Sequence, residues 1–473
     1  MINCESLPRR ITARRGAWFA SVAAIAIAAF GPTAQAETIG GALAKAYLSN
    51  PDINQQRAAV RVSDENIPKA NSGYLPTVSA EADAAVSNTQ SQGLGAGFPD
   101  SDITSHPRGY GVTVNQNVWN GNRTINSVRQ AESGVLGARE QLRNTEQNVL
   151  LSAVTFYMDV LRDTAILDLD RNNVEVLQEQ LRQTQDRFNV GEVTRTDVAQ
   201  AEASLAGARA TALTAQSTLQ ASVANYRRAI GEEPKSLAPV GPVVKPLPKT
   251  LTQAVAISQV EHPAIVALLH GVDAAALQIK ITEGALYPTV GLTGSVSKRF
   301  DVQGFSTGSQ TLTGSLEGQI TIPIYEGGAV YAETRQAKEQ LGQQELQTDL
   351  QRDLVRANVV AAWGANQNSL GILRAAQAQV EAAEVALAGV REEAKVGQRT
   401  TLDVLNAQQT LLNARVQLVT AQHDQVVNSY TLLSAVGRLS IGTLGLAVAE
   451  YDPRVHFDQV KNKWIGLRTP DGK

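Results

Sequence analysis

Residues 42–86 align with residues 254–298 without a gap at an offset of 212, and past the first loop the match continues at an offset of 206. In this frame Asn50-Pro51 falls on His262-Pro263, and Tyr74-Leu75-Pro76-Thr77-Val78 falls on Leu286-Tyr287-Pro288-Thr289-Val290. Trp119-Asn120-Gly121 matches Tyr325-Glu326-Gly327, Val190-Gly191 matches Val396-Gly397, and Asp197-Val198 matches Asp403-Val404. A unit of roughly 200 residues used twice means two copies of one architectural element packed together. That layout suits a wall better than a single catalytic cleft.

The first 36 residues read as a signal peptide. Arg9, Arg10, Arg14 and Arg15 form a basic region, Ala17–Phe30 is apolar, and Ala34-Gln35-Ala36 supplies a small-x-small cleavage site. Cleavage would make Glu37 the mature N-terminus and remove Cys4, leaving a cysteine-free exported chain. The leader carries +3 (four Arg against Glu5), so its loss takes the formal charge from −3 to −6. This mild acidity gives no support to nucleic-acid binding. No later run of about 18 uninterrupted apolar residues occurs, so no transmembrane helix is expected. An exported chain of this kind is either soluble or enters the outer membrane as strands.

No proline lies between Pro107 and Pro234, or between Pro323 and Pro453. Within the first interval Val160, Leu167, Val174, Leu181 and Phe188 recur every seven residues; Leu373, Val380, Leu387 and Ala394 occupy the same frame in the second. Such heptads, with Ala376 and Ala383 filling in, predict closely approaching coiled-coil helices. The stretch from Arg123 to Asn189 predicts a helix of 67 residues, about 100 Å long.

Four other segments alternate with a period of two. Thr77, Ser79, Glu81 and Asp83 alternate with Val78, Ala80, Ala82 and Ala84, and Tyr110, Val112 and Val114 alternate with Gly111, Thr113 and Asn115. Val290, Leu292 and Val296, then Leu312, Leu316, Ile320 and Ile322, do the same in the second copy. These read as strands of about ten residues with one apolar and one wet face, the pattern of outer-membrane barrels. A soluble sheet with one buried face would alternate equally, but no short apolar helix nearby offers a lid. Gly/Ser-rich loops are expected at 88–108 and 299–310. Four strands cannot close a barrel, and an open edge in lipid is prohibitively costly, so chains must pool strands. Three copies give twelve.

The expected organisation is a signal peptide (1–36), a first repeat (37–233), a Pro-rich connector (234–250), a second repeat (251–445) and an irregular tail (446–473). Strand pairs fall at 74–118 and 288–322, and long helical hairpins at 123–230 and 329–437. Pro76 and Pro288 stand where helix hands over to strand; Gly121, Gly327 and Gly328 stand where strand hands back to helix.

With its duplicated layout, its Tyr-Leu-Pro-Thr and Tyr-Glu-Gly-Gly junctions and its two tips, Val190–Val198 and Val396–Leu405, the chain resembles the TolC-type outer-membrane efflux channel family up to about residue 445. The resemblance implies a mixed α+β membrane protein: a homotrimer with a twelve-stranded barrel, four strands per chain, continuous with a periplasmic α-helical coiled-coil barrel. It implies a passive exit duct for efflux or type I secretion, embedded in outer-membrane lipid. The duct would dock to a periplasmic adaptor and an inner-membrane RND pump or ABC transporter. Val190, Gly191, Glu192, Val396, Gly397 and Gln398 would form the adaptor-binding tips. Asp197 and Arg399 match polar links that hold tunnel helices shut between protomers, and Asp403 matches a lumen-facing acidic ring that selects cations. The chain departs from the enterobacterial pattern at Asn406, where a second acidic ring would stand, and at Ala394, where a tyrosine would help close the tunnel. A weaker cation ring and a looser latch are expected.

Chemistry of other kinds is sparse. His106, His262, His270, His423 and His456 show no metal spacing, and His262 reads as a surface residue at a helix start. Gly304-Phe305-Ser306-Thr307-Gly308 matches a nucleophile-elbow string but lies in a Gly/Ser loop, and Gly93-Leu94-Gly95-Ala96-Gly97 lacks the context of a dinucleotide loop. No enzyme and no cofactor are expected. The rival reading is a periplasmic coiled-coil scaffold or adaptor, which would have the heptads without four lipid-facing strands.

Overall fold

Proline punctuates the chain, and its long helices and strands fall between those marks. The computed structural model describes residues 36–92, 101–301 and 308–472. All of the leader but Ala36, the Gly93–Gly97 string and most of the Ser306 string therefore lie outside the described residues. The first copy opens with α1 (Ile39–Ser49), α2 (Pro51–Asp64), α3 (Asn66–Asn71) and a 3-10 turn at Ser72–Tyr74. Strands β1 (Thr77–Ala84), β2 (Ser87–Ser91), β3 (Ser101–Ser105) and β4 (Arg108–Asn120) follow, then α4 (Arg123–Asn189) and α5 (Arg195–Ile230). The second copy repeats the plan as α6 (Leu251–Glu261), α7 (Pro263–Glu283), a 3-10 turn at Gly284–Leu286, β5 (Thr289–Phe300), β6 (Gln310–Thr321), α8 (Ala329–Lys395) and α9 (Thr401–Ala435). Two short helices, α10 (Ile441–Leu444) and α11 (Arg454–Val460), come last.

The two long helices, α4 and α8, hold 67 residues each, about 100 Å at 1.5 Å per residue. The heptad seam is buried at Val160, Leu167, Ala376, Ala383 and Leu387, and it opens toward the turn, where Phe188 is exposed. Most apolar packing sits halfway along the hairpins. There α1, α2, α4, α5 and α9 enclose Tyr47, Leu150, Val154, Tyr157, Tyr226 and Leu433. A second cluster joins α6, α7, α8 and α9 around Ile265, Val359 and Leu432. The Pro-rich connector lays Leu237, Val240, Val243 and Leu247 on this belt. The apolar stretch Leu251–Leu286 is long enough to cross a bilayer by composition. It is broken at His262-Pro263, and its longer half, α7, lies against α4 and α8 instead.

Strands β1, β4, β5 and β6 form one antiparallel sheet in the order β1-β4-β5-β6. Thr77 pairs with Asn115 in the first hairpin and Thr289 with Thr321 in the second, the same pair in the repeat frame. Between the hairpins, Val112 faces Val296, and a bulge at Val118 shifts the register before Trp119 meets Val290. One face carries Val78, Val112, Val114, Val296, Leu316 and Ile320; the other carries Thr77, Glu81, Thr113, Ser295, Glu317 and Gln319. Leu316 is 76% exposed, and among the described residues nothing covers the apolar face.

Three expectations need correction. Residues 88–108 are not simply loop: β2 and β3 pair within them, from Ser87↔Ser105 to Ser91↔Ser101. They prolong the β1–β4 hairpin beyond Ala85, whose N–H donates to the Pro107 carbonyl at 2.8 Å. Pro107 has no N–H to return, so the ladder breaks there into two sheets. The tail is not irregular throughout, since α11 buries His456 and Val460. His262 is half-buried rather than a surface residue, and its Nδ1 accepts the Ala264 N–H at 3.2 Å as the cap of α7. Burial lowers its pKa.

Candidate functional site

Two places in the fold concentrate the sequence-predicted residues: the far ends of the helical hairpins and the strand-to-helix junctions.

At the first tip α4 ends on Asn189, and Gly191 turns the chain at φ +83°. The Gly191 N–H donates to the Phe188 carbonyl and the Glu192 N–H to the Arg187 carbonyl, both at 2.9 Å. Together these bonds satisfy carbonyls that the helix end would otherwise leave unpaired. The second tip repeats this through Gly397 (φ +81°), with Gln398 donating to Glu393 at 2.9 Å. Val190 and Val396 are 72% and 71% exposed, apolar side chains presented at the ends of the molecule.

The returning helices start with capping boxes. The Thr194 N–H and hydroxyl donate to Asp197 Oδ2 at 2.9 and 2.7 Å, while the Asp197 N–H donates to Thr194 Oγ1 at 3.3 Å. Thr400 and Asp403 make the same three bonds at 2.9, 2.9 and 3.2 Å. The Thr194 hydroxyl and then its N–H hold the Asp197 carboxyl below the usual range; for Asp403 the Thr400 N–H comes first, then the hydroxyl. Both carboxylates are thereby fixed as negative charges at neutral pH. The Thr-x-x-Asp spacing was present in both copies of the sequence, and it is the signal by which these caps could have been found.

An ion pair braces each tip, with opposite polarity. Arg187 Nε lies 3.0 Å from Glu192 Oε2, whereas Arg399 Nε lies 2.8 Å from Glu393 Oε2. Glu393 is the repeat counterpart of Arg187 and was missed by sequence reasoning. Between the tips runs a groove of about 1040 Å³, into which Glu192, Asp197, Gly397 and Arg399 all face. Arg399 and Asp197 share this groove, but within the chain the Arg399 ion pair is with Glu393. Asp403 and Asn406 follow on the first turns of α9, where Asn406 is exposed. A small apolar cluster of Leu177, Leu205 and Leu405 ties the two hairpins together just behind the tips.

At the junctions, Leu75 and Tyr287 are extended, as the residue before proline must be, ahead of Pro76 and Pro288. Gly121 and Asn122 (φ +65° and +63°) turn β4 into α4; Gly327 and Gly328 (φ +65° and +84°) lead into α8. Their surroundings differ. A Cβ on Gly121 would meet the Gly284 carbonyl oxygen at 2.2 Å, whereas a Cβ on Gly327 would meet nothing within 4 Å. Among the described residues no group of His, Cys, Asp and Glu is arranged to hold a metal.

This geometry combines an uncovered apolar sheet face, two hairpins of equal length and a charged groove at their tips. The fold recurs in known proteins. The profile of the family described as outer membrane efflux protein matches residues 42–232 and 256–438. The outer membrane efflux protein BepC of Brucella suis biovar 1 (strain 1330) is 42% identical over 443 residues, covering 94% of each chain. The outer membrane protein TolC of Escherichia coli (strain K12) is 26% identical over 88% of this chain and 85% of its own. Among solved structures, the Campylobacter jejuni CmeC outer membrane channel superposes with a TM-score of 0.76 at 16% identity, over 90% of this chain and 89% of that one. The chain belongs to the outer membrane efflux protein family.

Proposed function

We propose that three chains pool their strands into a closed twelve-stranded barrel and their hairpins into a periplasmic tunnel. The assembly would be a passive exit duct for a tripartite efflux or type I secretion system. The observation that carries this reading is the pair of open sheet edges. β1 and β6 each leave a row of backbone groups unpaired among the described strands. In lipid each such group costs several kcal/mol. The repeat supplies the solution: β4 corresponds to β6 and β5 to β1, so the β4–β5 pairing inside one chain is a template for β6 pairing with β1 of the next. Asn115↔Thr293 then becomes Thr321 opposite the next chain's Glu81. The open space beside Gly327 fits the same picture, since Ser72, the counterpart of Gly284, would enter it from the neighbouring chain.

The tips would meet a periplasmic adaptor through Val190, Val396 and their turns, with an inner-membrane RND pump or ABC transporter supplying the energy. No catalytic step is assigned to this chain. Asp197 and Arg399 would form the latch at the tunnel end, and Asp403, repeated three times about the axis, a cation-selecting ring. An exposed Arg–carboxylate pair is screened by water and holds weakly, so the latch opens readily, the more so with Ala394 and Asn406 contributing no further links or charge. The uncovered apolar face and the duplication disfavour a scaffold or adaptor without a pore.

Cross-linking tests the assembly. The chain's one cysteine, Cys4, leaves with the leader, so cysteines at Thr321 and Glu81 have no native competitor. Directly opposed residues sit with Cβ atoms about 5 Å apart, within reach of a short bis-maleimide. T321C/E81C protein extracted from membranes is expected to migrate as a covalent trimer. Cross-links stopping at dimer, or none, would contradict the head-to-tail ring.

A further inference from the structure

We propose that Arg108, Tyr110, Lys298 and Phe300 form a docking site for a phosphorylated glycolipid of the outer leaflet, a proposal that rests on the barrel reading above. The argument begins with the alternation of the sheet. The apolar face runs through Val78–Ala84 on β1, Arg108–Gln116 on β4, Val290–Phe300 on β5 and Gln310–Ile320 on β6, taking every second residue. Along it only Arg108 and Lys298 are charged. The opposite face carries Glu81, Asp83, Arg299 and Glu317, so acids predominate on the wet side and only bases occur on the apolar side.

Both bases sit at the same end. Arg108 pairs with Phe300 and Tyr110 with Lys298, the last two β4–β5 rungs on this face at the end away from the helices. With the helices in the periplasm, that end lies at the cell exterior. Arg108 Cζ is 5.6 Å and Lys298 Nζ 5.2 Å from the centre of the Phe300 ring, whose centre is 6.4 Å from that of Tyr110. Two cations therefore converge over one aromatic platform at the margin of the lipid-facing surface. Near the other end of the sheet the exposed aromatics Tyr74, Trp119 and Tyr287 stand at the helix junctions, where the nearest base, Arg123, belongs to α4 and not to the strands. An aromatic belt alone marks a membrane interface on either side. Within the strands the bases of this face lie at one end only, which matches a leaflet whose headgroups bear phosphates.

The chemistry of the pair suits a phosphate. Asp301 Oδ2 holds Arg108 Nη1 at 3.2 Å and orients the guanidinium, leaving its Nη2 arm without a partner among the described residues. Lys298 has no carboxylate partner among the described residues. A fork and a point charge side by side can share one phosphate, while Tyr110, Val112 and Val296 below them receive the acyl chains. Arg299 lies on the opposite face, where Asp83 holds it at 3.2 Å, and is no part of this site.

The test uses the full-length assembly in detergent, with native mass spectrometry counting bound bisphosphorylated lipid A against its dephosphorylated form. Vesicle flotation is run in parallel. Wild-type protein is expected to retain the phosphorylated lipid and to bind the dephosphorylated one at least about tenfold more weakly. R108Q/K298Q is expected to lose that preference, while R299Q keeps it. Wild-type protein that binds both lipids alike, or a double variant that retains the preference, would overturn the proposal alone. Protein that fails to float with vesicles would overturn the barrel reading and this proposal together.

Discussion

Gly121→Ala is expected to prevent the chain from folding, whereas Gly327→Ala is expected to let the chain fold and then impair assembly. The two glycines are repeat counterparts with the same φ of +65°, so the intrinsic penalty for a side chain, about 1 kcal/mol, is common to both. What differs is the neighbour. At Gly121 the new Cβ would lie 2.2 Å from a backbone oxygen of Gly284, which cannot swing aside as a side chain does. Relieving that overlap would separate α4 from the turn that ends α7, for roughly 3 kcal/mol or more beyond the φ penalty. At Gly327 the described residues leave open space, and in the proposed ring the neighbouring chain fills it. Circular dichroism and trimer migration on gels separate the outcomes. G121A should lose both helix content and trimer, and G327A should keep helix content with a reduced trimer yield. Full trimer yield from G327A would contradict the proposed ring contact.

The second large effect lies in the belt, where the tail closes over α2. Asp64 is 0% exposed; its Oδ2 lies 2.9 Å from His456 Nδ1 on α11 and its Oδ1 3.9 Å from Arg139 Nη2 on α4. Burial raises the Asp64 pKa, while the bond to His456 and the charge of Arg139 oppose that rise. Arg139 also stacks 5.1 Å from the Phe457 ring centre, so the cluster clamps three elements distant in sequence. Removing the carboxylate strands Arg139 in a place shielded from water. Breaking a buried ionic contact in this way typically costs about 3–5 kcal/mol. D64A is expected to lower the thermal midpoint and to expose the tail to protease before the hairpins are cut. D64A/R139M, which removes the stranded charge as well, should recover much of the loss. A midpoint unchanged in D64A would mean that the clamp does not hold the belt.

The fold was legible to different depths along the chain. The 67-residue helices could be read because long intervals without proline and a sustained heptad leave no alternative of that length. The four main strands showed themselves through alternation, since one face of each must be apolar. The β2–β3 extension did not: apart from Ile103 its residues are Ser, Thr, Asn, Gln and Asp, too few apolar positions to alternate, and only the pairing from Ser87↔Ser105 reveals the ladder. At the tips the turns at Gly191 and Gly397 join the long helices, and the local duties of the residues around them were not legible. Asp197 and Asp403 serve first as helix caps, a role written in the Thr-x-x-Asp spacing yet passed over for a gate. The Glu393 partner of Arg399 was hidden because the two copies brace their turns with opposite charge order. Contacts such as Gly121 with Gly284 and Asp64 with His456 join residues far apart in the chain, and no local pattern encodes them.

The central claim, that this chain assembles into a gated pore, is tested most directly by single-channel recording of the detergent-extracted mature protein in a planar bilayer. The account predicts small, long-lived, cation-preferring steps, with R399A raising the resting conductance. Protein that inserts nothing and stays soluble would contradict it, leaving the sheet a periplasmic surface and the hairpins a scaffold.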